Sequence, residues 1–241
     1  MAYMKRTVSY GSFKDIDLYH TPRAYPKGET PRRKKHKETS CAQREVNRKN
    51  SIERLKWLLG TNFVQDDLHV QLKYVRKTGE PRRTEDEMRK DIAVFHRKMR
   101  AEYKARGLEY KYVHVMEIGE KGARHHHLII PAIDFSVVRK NWTFARPTFT
   151  PLDSGPYGSL AEYLVKQSDN RFRDKTLMKQ RYNCSKNMKK PIIVKQKITR
   201  SSTFRRKVLV PKGYYLIENS IRSGADADGH IYFKYTVAKI E

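Results

Sequence analysis

Residues 111–130 read KYVHVMEIGEKGARHHHLII. Apolar and polar positions alternate on both sides of a glycine-containing centre. This predicts two antiparallel strands, Lys111 to Glu117 and His125 to Ile130, joined by a turn around Gly122. Glu117 and His125 are equally distant from Lys121, so a symmetric hairpin sets them opposite each other. Side chains alternate along a strand, so Val113, Val115 and Glu117 share a face with His125, His127 and Ile129. The apolar part of that face reads as core. At the turn end it becomes one carboxylate and two imidazoles pointing the same way.

Such a triad is a natural three-ligand metal site, with open positions for water or phosphate oxygens. Mg²⁺ or Mn²⁺ suits phosphate chemistry, while Zn²⁺ or Ni²⁺ could bind more tightly. His126 falls on the opposite face, with His114 two pairs along. A slip of one residue in register would exchange the two sets, which makes His114 with His126 the rival pair.

Outward from the hairpin, Leu68 to Val75 alternates as a strand does. A helix starts at Ser40, carries Ile52, Leu55, Leu58 and Leu59 on one face, and ends at Gly60. Thr84 and Glu87 form a capping box that opens a second helix. Its Met88, Ile92, Phe95, Met99 and Tyr103 recur at three and four, and Gly107 closes it. Short helices are expected near Phe135 to Trp142 and Leu160 to Gln167. Strands are expected at Lys207 to Val210, Gly213 to Ile217 and His230 to Ala238, with a turn at Asp226 to Gly229. Because the central strands form a hairpin, the fold class is α+β, a central antiparallel sheet with flanking helices, rather than doubly wound. The expected organisation is a basic, mobile arm over 1–38, a catalytic domain over 39–170 and a basic C-terminal extension with strands over 171–241.

Fifty-two Lys and Arg against 26 Asp and Glu give a net charge of +26. Self-repulsion on that scale calls for a polyanionic partner, and nucleic acid leads over a ribosomal surface or an anionic membrane. The run Arg32, Arg33, Lys34, Lys35, His36, Lys37 belongs to the expected arm. No apolar run approaches the roughly 18 to 20 residues that span a bilayer, and the N-terminus carries no secretory signal. Cys41 and Cys184 alone give neither a disulfide framework nor zinc spacing, which fits a reducing compartment. No phosphate-binding loop of the Gly-x-x-x-x-Gly-Lys-Ser/Thr type occurs, so no ATP use is expected and a helicase must come from elsewhere.

A second constellation is Leu160 to Gln167. On a helix, Tyr163 and Lys166 are neighbours at i and i+3. A phenol with a pKa of about 10 is a poor nucleophile at neutral pH, and a nearby ammonium could stabilise its anion or neutralise phosphate. Tyr-x-x-Lys is weak alone, and a tyrosine packing its ring on an amphipathic helix is the plainer account.

The order of the parts carries more. Leu72 and Tyr74 on a strand, Glu117 and His125-His126-His127 on a hairpin, then Tyr163-x-x-Lys166 on a helix resemble the HUH endonucleases. The likeness is strongest to rolling-circle replication initiators (Rep proteins) of bacterial plasmids, integrative elements and small phages. It extends to Asn62-Phe63, Asp66-Asp67-Leu68, Lys111-Tyr112 and Ser185 to Pro191, covering roughly residues 40 to 195. The resemblance implies an HUH/RRM-like sheet with the tyrosine helix across from it. It implies a divalent metal, Mg²⁺ or Mn²⁺, held by Glu117, His125 and His127. It implies attack by Tyr163 on single-stranded DNA at an origin, leaving a 5′-phosphotyrosine and a free 3′-hydroxyl, with Lys166 in support. Helicase and polymerase would be other proteins, and the setting a bacterial cytoplasm.

Two departures stand out. Gln71-Leu72-Lys73-Tyr74 replaces a Thr-Leu-Thr-Tyr-like run, which brings Lys73 toward the DNA backbone. The residue between the ligand histidines, usually apolar, is His126. Arg32, Arg33, Lys34, Lys35, Lys189 and Lys190 are further candidate DNA contacts, and Tyr157 is a second candidate tyrosine. Relaxases and single-strand transposases use the same kind of site, and a non-catalytic nucleic-acid-binding module is the reading from another class.

The charge makes a prediction on its own. If roughly six or more phosphates are contacted, DNA affinity should fall by about a thousandfold or more between about 50 and about 200 mM salt. Anisotropy titrations at both concentrations check this. A flat response would remove DNA as the partner that the charge implies.

Overall fold

The computed structural model describes residues 2–21, 41–75, 82–119, 122–173, 180–198, 208–225 and 229–240. The chain is α+β, with antiparallel sheets and flanking helices. It divides into two compact units, residues 46–189 and residues 1–45 together with 190–241.

The first unit is built on a five-stranded sheet. Its strands are β3 (Leu68–Lys73), β4 (Val113–Ile118), β5 (Arg124–Ile130), β6 (Thr148–Pro151) and β7 (Asn183–Cys184), in the order β6-β3-β5-β4-β7. The hairpin register is the one that symmetry about Lys121 implied: Glu117 pairs with His125, Val115 with His127 and Val113 with Ile129.

That register gives the sheet two buried faces. Val113, Val115 and Ile129 pack on Leu55, Leu59 and Phe63 of α1 (Cys41–Asn62) or its C-terminal end, and on Ala161, Leu164 and Val165 of α4 (Gly158–Arg173). On the other face, Val70, Leu72, Leu128 and Ile130 pack on Ile92, Phe95, Met99 and Tyr103 of α2 (Glu85–Ala105) and on Val137 and Val138 of α3 (Phe135–Asn141). Helices on both sides of one sheet make a three-layer unit.

Local chemistry fixes the boundaries. The capping box forms as expected: Thr84 N donates to Glu87 Oε2 at 2.7 Å and Glu87 N donates to Thr84 Oγ1 at 3.3 Å. Gly107, at φ +68°, ends α2, a conformation that suits glycine. Asp67 ties two loops together, because its carboxylate accepts from Val64 N at 2.9 Å and Ala132 N at 2.8 Å.

The second unit is a six-stranded sheet. Strands β8 (Ile192–Ile198), β9 (Tyr214–Leu216), β10 (Arg222–Ala225) and β11 (Ile231–Lys239) join β1 (Ala2–Tyr10) and β2 (Phe13–Thr21) in the order β10-β11-β2-β1-β8, with β9 on β11. This corrects the reading of residues 1–38 as a mobile arm, since 2–21 are a hairpin inside a sheet. Arg32, Arg33, Lys34 and Lys35 lie outside the described residues. Of the strand expected at Lys207 to Val210, residues 208–210 are irregular and 207 lies outside the described residues. Residues 226–228 of the turn expected before β11 also lie outside them.

The reason lies in buried carboxylates. Asp15 and Asp17 are 6% and 3% exposed. Asp15 accepts from Tyr10 Oη at 2.6 Å and Thr236 Oγ1 at 2.8 Å, and Asp17 pairs with Arg6. Paired acids can sit inside a sheet that a charge count reads as solvent-exposed.

Removing residues 1–38 therefore removes β1 and β2, and with them the pairing partners of β8 and β11. Such a truncation is expected to lose part of the cooperative thermal transition seen by circular dichroism. A truncated chain that melts like the full one would contradict this account of the sheet.

Candidate metal centre and nucleophile

Glu117, His125 and His127 converge, their ligand atoms all within 4.8 Å of one another. His125 Nε2 lies 2.7 Å and His127 Nε2 2.8 Å from Glu117 Oε2. Burial opposes ionisation of Glu117, yet hydrogen bonds from the two imidazoles bring its carboxyl down to about 2. A carboxylate and two imidazoles, aimed at one point from adjacent strands, fit a divalent cation.

The rival pair is resolved by its surroundings. His126 and His114 face the opposite layer, and His126 Nδ1 lies 3.0 Å from His114 Nε2. His126 Nε2 is taken by Tyr74 Oη at 2.9 Å. Burial drives His126 well below its usual pKa and brings His114 to about 3, so both are neutral. With both nitrogens of His126 used, and the nearest carboxylate, Asp91, reached only through Tyr74, this pair reads as a packed polar network.

A residue that the sequence reading passed over supports the centre. His69, on β3, is 8% exposed and its Nε2 lies 3.0 Å from His127 Nδ1. Burial, then the charge of His127, lowers its pKa to about 4, so it is neutral. In this structure His127 Nε2 bonds to Glu117; with a cation held there, Nδ1–H of His127 would donate to His69 and Nε2 would offer its lone pair. The only sequence signal was alternation: His69 is two residues from Gln71, which pairs with His127.

Tyr163 comes to the same face. It is 37% exposed on α4, its ring edge-on to His127 at 5.4 Å and to His69 at 6.1 Å between centroids. Burial and the charge of Glu117 push its phenol above the usual range, while a hydrogen bond with Gln167 works the other way. Lys166 is exposed on α4. Tyr157 is placed differently. It is 6% exposed in the α1–α4 core, and its hydroxyl donates to Phe63 O at 3.4 Å. Burial raises its pKa to about 12.

Of the candidate DNA contacts, Lys73 is exposed and pairs across the sheet with His125. Lys189 and Lys190 are exposed. The surrounding motif residues do structural work: Asn62 Nδ2 donates to Lys189 O at 2.8 Å and Lys189 N donates to Asn62 Oδ1 at 2.8 Å. Ser185 N donates to Tyr112 O at 3.0 Å, and Asn187 Nδ2 to Tyr110 O at 3.1 Å.

Residues 67–168 match the model of a family of replication-associated proteins of the ORF2 type. The matched segment contains Glu117, His125, His127, Tyr163 and Gln167, and across it the chain is similar to replication-associated proteins. No curated protein and no solved structure matches the chain. Among the described residues, no helix is long and apolar enough to cross a membrane.

The two histidine faces should separate in experiment. His125→Ala, at the partly open ligand, is expected to lower Mn²⁺ affinity, measured by calorimetry, with a small change in melting temperature. His126→Ala is expected to do the reverse. It empties a fully buried position and removes one hydrogen bond each from Tyr74 and His114, at a cost of about 2 to 5 kcal/mol. Loss of Mn²⁺ affinity in the His126 variant alone would assign the wrong face.

Proposed function

We propose that this protein is a rolling-circle replication initiator that nicks and rejoins single-stranded DNA at an origin. The observation that carries the reading is the placement of Tyr163, on a helix of its own, edge-on to His127 and over the face that holds Glu117, His125 and His127. A nucleophile and a cation site within one side chain's length of each other is what phosphoryl transfer needs. The match to replication-associated proteins over residues 67–168 supports the substrate class.

Glu117, His125 and His127 would hold Mg²⁺ or Mn²⁺, which when bound polarises the scissile phosphate and offsets its charge. His69 fixes the tautomer and orientation of His127. The α4 backbone and the packing of Leu164 and Val165 hold Tyr163 in place, which limits the entropy lost on the way to attack. Tyr163 Oη loses its proton and bonds to phosphorus. The bond from phosphorus to the 3′-oxygen breaks, and that oxygen leaves as a 3′-hydroxyl after taking a proton. The 5′-phosphotyrosine keeps the bond energy, so a later 3′-hydroxyl can reverse the step and close a strand without ATP. Lys166, one helical turn on, lies where an ammonium can meet phosphate charge, and Lys73 at the end of β3 can meet the backbone of the same strand. Relaxases and single-strand transposases share this chemistry, and the DNA that is cut distinguishes them.

Tyr163→Phe is expected to abolish cleavage and the covalent adduct while DNA binding stays within about twofold, because one oxygen is lost and the ring is kept. Lys166→Ala is expected to slow the reaction without stopping it. Peptide mapping of the trapped adduct on end-labelled single-stranded DNA decides the matter. A nucleotide on Tyr157 or Tyr74 would overturn the site. No adduct with Mg²⁺ or Mn²⁺ present would favour a non-catalytic binder.

A further inference from the structure

The two edges of the six-stranded sheet differ. At one, β9 and β10 each cover part of β11. At the other lies β8. Ile192 to Ile198 run antiparallel to β1 with no break in register, and among the described residues β8 pairs with no other strand. Its outer side therefore offers a row of backbone N–H and C=O groups to a further strand. Proline or a bulge within an edge strand closes such a row. Here Pro191 precedes the strand, and its register with β1 is continuous.

Alternation divides the side chains of β8. Ile192, Val194, Gln196 and Ile198 share one face, and Ile193, Lys195 and Lys197 share the other. Ile192 is 68% exposed, and Ile193 and Val194 are exposed beside it. Three adjacent β-branched residues make a contiguous apolar patch rather than scattered ones. Single-stranded nucleic acid would find two lysines there but no aromatic ring on which to stack. A second copy would bring its own +26 against this one. Pairing β8 with itself about Lys195 would also set that lysine opposite its like. An acidic strand suits both faces, with apolar side chains beside Ile192 and Val194 and carboxylates beside Lys195 and Lys197.

We propose that β8 is a docking edge for an acidic, extended segment of another protein, which joins the sheet as an antiparallel strand. Main-chain hydrogen bonds supply the affinity, and the lysines select the sequence. The register follows from β8 itself. Read from its N-terminus, the docked segment sets an apolar residue by Ile198, carboxylates by Lys197 and Lys195, and apolar residues by Val194, Ile193 and Ile192. This does not depend on the nicking reading, because β8 and its sheet lie in the unit formed by residues 1–45 and 190–241.

The probe is a fluorescein-labelled peptide carrying the run Val-Glu-Thr-Glu-Val-Val. Its binding to the full chain without DNA is followed by anisotropy, and amide hydrogen exchange is read over residues 192–198. Binding, with slowed exchange in β8, is expected by about 1 mM peptide. The same peptide methylated at alternate backbone nitrogens, made in both phases, should bind at least about tenfold more weakly in one of them. Equal binding by the unmodified and both methylated peptides would overturn strand pairing. Lys195→Glu, at an exposed position, should weaken binding about fivefold or more, and a peptide with lysine in the facing position should restore it. A thermal melt checks that this variant folds. Parent-like affinity in it, or no recovery with the exchanged peptide, would overturn the charge match. No slowing of exchange in β8 at about 1 mM peptide would overturn the docking edge. Protection of β8 by single-stranded DNA alone would assign the edge to nucleic acid instead. Protection in the free chain, with a dimer in sedimentation, would assign it to a second copy.

Discussion

The hydrogen-bond register between β4 and β5 decides which side chains meet. With Glu117 opposite His125 and Val115 opposite His127, the carboxylate and two imidazoles emerge beside Tyr163, and the apolar rungs below them fill the core under α1 and α4. Sliding β5 by a residue would carry His125 and His127 to the α2 side, away from Glu117, and bring His126 out in their place. Register is held by more than the hairpin turn. Val113 and Ile129 are 1% and 0% exposed on one face, Leu128 and Ile130 are 0% exposed on the other, and β3 pairs with β5 along its whole length. A slip would cost every one of these contacts together.

The three consecutive histidines show how position overrides residue type. His125 stands partly open at the end of the strand, His127 is almost closed beneath it, and His126 is sealed on the far side among Tyr74, His114 and Trp142. The far group is a hydrogen-bonded cluster of tilted and edge-on rings between the sheet and the α2–α3 layer. The near group is oriented rather than sealed, with His69 beneath His127 and Gln167 above Glu117. Each imidazole takes its chemistry from the layer it faces.

Much of this was legible in the sequence, and the failures have physical causes. Alternation at 113–130 gave the register, and the capping box gave the start of α2, because both are local rules. Glu117, His125, His127 and Tyr163 came together through the order of short motifs. His69 was missed because it meets His127 from another strand, and its residue type does not announce that contact. Residues 2–21 were misread for a different reason. Met4, Val8 and Tyr10 alternate, and Gly11 with Ser12 is a two-residue hairpin loop with glycine at φ +58°. Asp15, Asp17 and the surrounding cations masked that signal, since their pairing with Tyr10, Arg6 and the distant Thr236 appears only in the folded sheet.

One of those partnerships bears on how the protein is made. Asp15 meets Thr236 across 221 positions of chain, and β2 cannot finish its hydrogen bonding until β11 is present. The intervening 46–189 unit is continuous in sequence and closed near its ends by Asn62 and Lys189. On the ribosome, that unit can complete its core while the β1–β2 hairpin still lacks Thr236 for Asp15 and the strands that cover its edges. Translation therefore imposes an order on maturation, in which the sheet begun first is the one closed last.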